Sequence, residues 1–110
     1  MSAKVTGVVV GKDGCEADKF NGDEILTVMV QNTARMDAPA ITLGEQIINL
    51  KAGDGFPISF SVEYDAEAAS GVPDYGFTLH AMIENHQGDR LYRSDTRTSA
   101  NADKIEVRKL

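Results

Sequence analysis

The chain has 110 residues, with 11 Lys and Arg against 17 Asp and Glu, a formal charge of −6 and a single cysteine, Cys15. That length predicts one domain spanning 1–110, able to bury about two-thirds of its unfolded surface without a metal or disulfide staple. The acidic balance and scattered basic residues exclude a phosphate-tracking nucleic-acid surface, and one cysteine excludes an internal disulfide.

Residues 4–10, with Val8, Val9 and Val10 in sequence, predict a first strand. The opening Met1-Ser2-Ala3-Lys4 has no apolar leader, and no later run is long enough to cross a membrane. As written, the chain is expected in the cytoplasm, or at the periplasmic side of the outer membrane if a leader has been removed. Residues 11–23 are acidic and rich in turn formers, including Asn21-Gly22, and predict a solvated loop. Residues 24–32 predict a second strand with Leu26, Val28 and Val30 inward and Thr27, Met29 and Gln31 outward. A loop with Asp37-Ala38-Pro39 follows.

Residues 41–50 predict a third strand whose apolar phase slips. Ile41, Leu43 and Ile47 share one parity, whereas Ile48 and Leu50 take the other, and Gly44 precedes the slip. A bulge or an edge strand accounts for this. In residues 56–65, Ile58, Phe60, Val62 and Tyr64 alternate with Pro57, Ser59, Ser61 and Glu63. Such a period of two marks an antiparallel strand buried on one face. Residues 66–69 predict one helical turn, capped by Asp65 and stopped by Gly71.

Tyr75, Phe77, Leu79, Ala81 and Ile83 line one face of a central strand, and Gln87-Gly88-Asp89 turns it into a further strand over 91–96. Tyr75, entering that strand after a long connection, predicts a tyrosine corner. A polar stretch over 99–103 leads to a last strand marked by Ile105 and Val107. About seven short strands with turns between them predict an all-β fold, an antiparallel β-sandwich.

Chemistry is harder to find. His80 lies on the outward parity and His86 in a turn, with no spacing that converges them on a metal or a general-base task. The carboxylates Asp13, Glu16, Asp18, Asp23 and Glu24 lack the order of a calcium loop. Cys15 has no CxxC partner, and its acidic neighbours disfavour a thiolate. No nucleophile elbow or phosphate loop is present. The residues predict no catalytic site, no cofactor and no metal.

Certain segments nevertheless form a pattern: Leu26-x-Val28-x-Val30-x-Asn32-Thr33, Asp37-Ala38-Pro39-Ala40, Pro57-Ile58-x-Phe60-x-Val62-x-Tyr64-Asp65, and Tyr75-x-Phe77-x-Leu79-x-Ala81-x-Ile83 followed by Gly88 and Leu91. This resembles the YbaY/YscW family of small β-sandwich lipoproteins, which includes type III secretion pilotins. The resemblance implies a non-catalytic domain, and in pilotin members a secretin or other envelope protein as partner. Family members are lipidated on a cysteine directly after a signal peptide; Cys15 follows the polar Gly11-Lys12-Asp13-Gly14 and does not fit that pattern.

The expected function is therefore a protein-binding adaptor, inserting no segment into a membrane and working through a sheet edge or face. Ile41, Leu43, Ile47 and Ile48 of the slipped strand are its candidate contacts, because an unpaired edge accepts a partner strand. Tyr92, with Phe20, is expected as an exposed ring. Exposed rings would also serve the alternative, a carbohydrate or small-ligand binding module.

Overall fold

A computed structural model describes residues 2–34, 39–73, 76–94, 98–100 and 102–110. Its elements are β1 (Ser2–Gly11), β2 (Glu24–Asn32), β3 (Ile41–Asn49), β4 (Ile58–Asp65), α1 (Ala66–Ala69), β5 (Phe77–Asn85), β6 (Arg90–Arg93), β7 (Thr98–Ser99) and β8 (Lys104–Lys109). The all-β class is as the alternations predict. The short helix falls at its expected place, with the Asp65 carboxylate accepting from the Glu67 N–H at 2.9 Å. The two-residue β7 was not foreseen; it pairs with β5. The Asp37-Ala38 loop, the corner at Tyr75 and the end of the 91–96 strand lie outside the described residues.

Pairing runs β3-β2-β5-β6-β8-β1-β4, one continuous sheet curled almost into a barrel. Two details depart from a simple antiparallel sandwich. β8 lies antiparallel to β6 but parallel to β1, with Val9 opposite Ile105 and Gly11 opposite Val107. The end strands β3 and β4 come side by side without a backbone ladder. There the Gln46 side-chain Oε1 accepts from the Ser61 N–H at 2.8 Å.

Gly44 makes this approach possible. A β-carbon there would collide with the Glu63 carbonyl oxygen and with Tyr64. The slip read in the third strand is a register shift against β2 between Val30 and Gln31, with Gly44 opposite Val30 and Thr42 opposite Gln31. Leu43 is the extra residue, as a bulge requires. β3 is thus the last strand of the ladder, but its far flank is covered by β4, so the expected free edge is absent there.

Alternation decides what fills the curl. Val5, Val9, Leu26, Val28, Val30, Phe60, Val62, Leu79, Ala81, Ile83, Ile105 and Val107 point inward and are buried, with Ile58 and Phe77 packed against them. Each fully buried aliphatic or aromatic side chain contributes roughly 1.5–3 kcal/mol over an exposed one. The loop over 12–23 is pinned to this core at Cys15 and Phe20, while Asp13, Glu16, Lys19, Asn21 and Asp23 stand in solvent. Cys15 is buried, and its thiol contacts the Lys12 carbonyl oxygen at 3.1 Å. Glu24, only 5% exposed, has its carboxylate accept N–H bonds from Asn21, Gly22 and Asp23. Gly22 takes a φ of 106°, which a residue with a side chain rarely adopts. The acidic stretch is solvated at Asp13, Glu16 and Asp23, as expected, but Cys15, Phe20 and the buried Glu24 carboxylate anchor it to the barrel.

Candidate interaction surface

The outward face of β3, β2 and β5 is where apolar side chains stand on the wet parity. Register sets three rows across it. Ile47 lies opposite Thr27, which lies opposite Met82, which lies opposite Arg93 of β6. Glu45, Met29 and His80 form the second row; Asn49, Ile25 and Glu84 form the third. Ile47 is 61% exposed, and Ile25, Met29 and Met82 are half-buried beside it. A two-period strand normally presents polar residues to water, whereas here these four surround Thr27, with Glu45, Glu84 and Arg93 farther out.

His80 is held within this face. Its Nδ1 is 2.9 Å from the Ser94 Oγ, which also accepts the Ala81 N–H at 3.1 Å. Ser94 is buried where β6 ends, and its own N–H donates to the Ala81 carbonyl at 2.9 Å. Burial lowers the His80 pKa from the ordinary 6.5, and the Arg93 and Arg90 charges push the same way. The ring is therefore neutral at pH 7. His86, by contrast, is exposed in the turn after β5.

Tyr92 sits elsewhere. It is 6% exposed and faces inward from β6, meeting Phe20 and Phe56 edge-to-face at centroid distances of 5.9 and 5.8 Å. Its hydroxyl donates to Asp18 Oδ2 at 2.7 Å. Burial, first, and this bond hold its pKa well above the usual phenol value. Phe20 is 3% exposed. The expectation of two exposed rings is corrected: an aromatic cluster fastens the 12–23 loop to the barrel, and the support for a carbohydrate-type site goes with it.

The structure divides the other expected contacts. Ile47 is central to the outward face. Ile41, 55% exposed, pairs with Asn32 and so stands on the opposite parity, at the rim. Leu43 and Ile48 are half-buried against the core. Ile25, Met29 and Met82 join Ile47 on this face and were not singled out, although the sequence carries the signal: each is apolar at an outward position. Among the described residues, no three His, Cys, Asp or Glu side chains are grouped to hold a metal ion. No described helix is long and apolar enough to cross a membrane.

Fold and surface together define a small all-β domain whose distinctive feature is an outward sheet face bearing Ile25, Met29, Ile47 and Met82. The chain belongs to the YscW family, described as type III secretion system lipoprotein chaperones, whose model matches residues 2–108. Among solved structures it is similar to an alternative pilotin from the type II secretion system of Vibrio cholerae. That match has a TM-score of 0.80 and 19% identity, and it covers 100% of this chain and 98% of the other. A 9R-lipoxygenase from Cyanothece PCC8801 overlays at a TM-score of 0.44 with 16% identity, covering 99% of this chain and 16% of that one, too loosely to inform function. No curated protein matches.

Proposed function

We propose that this domain is a non-enzymatic binding protein of the bacterial envelope. It engages a segment of a secretin-class partner through the outward face of β3, β2 and β5. Family membership supports a secretion-system partner and an envelope setting. The observation that carries the surface is Ile47, 61% exposed on a face whose parity calls for polar residues and which also carries Ile25, Met29 and Met82. Pairing along the β3 edge is the less supported mode, since β4 covers that flank.

Peptide tiles spanning the cognate secretin, titrated calorimetrically, test this reading. One contiguous region should bind, and Ile47→Asp should weaken it by about tenfold or more, as central interface truncations do. The melting temperature should hold, because the side chain is mostly in solvent. Wild-type affinity in that variant, or no bound tile at all, would overturn the proposal.

A further inference from the structure

We propose that Met29, His80 and Met82 form a surface site for a soft monovalent metal ion, Cu(I). The expectation of no metal weighed carboxylate, imidazole and thiolate donors; the fold brings thioethers to the one histidine that is held in place. Met29 of β2 is the direct partner of His80 on β5, and Met82 follows His80 by two residues on the same face. Directly opposed side chains start about 4.5–5.5 Å apart at Cβ, and neighbours two along a strand about 7 Å apart. Two unbranched methionine side chains with three torsions each span those gaps readily.

The donor set determines the ion. Two soft thioethers with a borderline imidazole suit Cu(I) and are poorly suited to Ca²⁺ or Mg²⁺. Divalent binders of the carboxylate–imidazole kind find no grouped donors among the described residues. Facing charges are mixed: Glu45 lies opposite Met29, while Arg93 lies opposite Met82.

His80 is prepared for the task in a way that an ordinary surface histidine is not. The Ser94 Oγ has two acceptor positions; one takes the Ala81 N–H, and the other is 2.9 Å from His80 Nδ1. In the tautomer where Nδ1–H donates to Ser94, the Nε2 lone pair is left for a metal, the orientation that ligating histidines gain from a second hydrogen bond. The Met29 sulfur lies 3.9 Å from Gln31 Nε2, a weak contact that rotation about its side-chain torsions exchanges for the ion. Binding involves no electron transfer, since the ion enters and leaves as Cu(I).

The test is anaerobic titration of the wild-type chain with Cu(I), buffered by bicinchoninate, and in parallel with Ag(I). It is followed through the methionine ε-methyl and histidine ring resonances. One equivalent should shift the methyls of Met29 and Met82 and the ring of His80, leaving the methyls of Met1 and Met36 in place. Met29→Leu with Met82→Leu, which conserves apolar volume, should keep the melting temperature and lower affinity at least tenfold. Wild-type affinity in that double variant, shifts confined to Met1, Met36 or the Cys15 region, or no saturable binding would each overturn the assignment. No partner protein enters this experiment, so its failure is separate from failure of the proposed docking role.

Discussion

His80 shows how one residue ties stability to pH. Its native pKa lies below the ordinary 6.5 because burial and the neighbouring Arg93 and Arg90 disfavour the imidazolium. The unfolded chain, lacking those surroundings, takes up its proton near the ordinary value. Stability from this group is therefore full above 6.5, erodes as pH falls below it, and is completely lost once pH is under the depressed native value. The unfolding free energy of wild type minus that of His80→Gln should accordingly decline as pH is lowered through and below the ordinary 6.5 in urea titrations. A difference that stays flat over that range would contradict the assignment. Legibility at this scale followed parity. Met29 and His80 read as outward because strands alternate, whereas Phe20 and Tyr92 were misread. Phe20 lies in a loop with no period, and Tyr92 lies in a strand only four residues long, so nothing in the local pattern reported the aromatic contacts that bury them.

Within the elements, β3 carries the most instructive mixture. Its phase slip is written in the order of Ile41, Leu43, Gly44, Ile47 and Ile48, and the bulge at Leu43 follows from it. What covers its flank is not written there, because Gln46 and Ser61 are brought together only by closure of the whole sheet. Gly44 is where this closure leaves no room for a side chain, since a β-carbon would meet the Glu63 carbonyl oxygen and the Tyr64 backbone. Gly44→Ala should therefore destabilise by about 1–3 kcal/mol, in the range of overpacked sites. Alanine in a strand would otherwise gain slightly over glycine. Denaturant midpoints measure the difference, and a midpoint equal to or above that of wild type would show that the seam is looser than described.

For the whole molecule, β8 joins the two halves of the sheet, pairing with β6 on one side and β1 on the other. The alternation of Ile105 and Val107 announced a strand, but its parallel partner was not foreseeable, since pairing between distant segments leaves no local periodicity. Both side chains are fully buried. A chain ending at Asp103 should lose its cooperative unfolding transition, because β3-β2-β5-β6 and β1-β4 would each retain an open edge and half a core. Calorimetry decides this: a sharp transition near the wild-type temperature would mean that the halves stand without their bridge.

Synthesis on the ribosome proceeds in the opposite sense to this architecture's needs. β1 is made before β8, yet its flank from Val8 to Gly11 pairs with β8 and with Asp103 just ahead of it, far along the chain. Throughout elongation that valine-rich segment is an unpaired template, the kind of edge that recruits foreign strands. Closure of the sheet therefore waits on β8, and a holding factor on this flank of β1 would shield the nascent polypeptide in the interval.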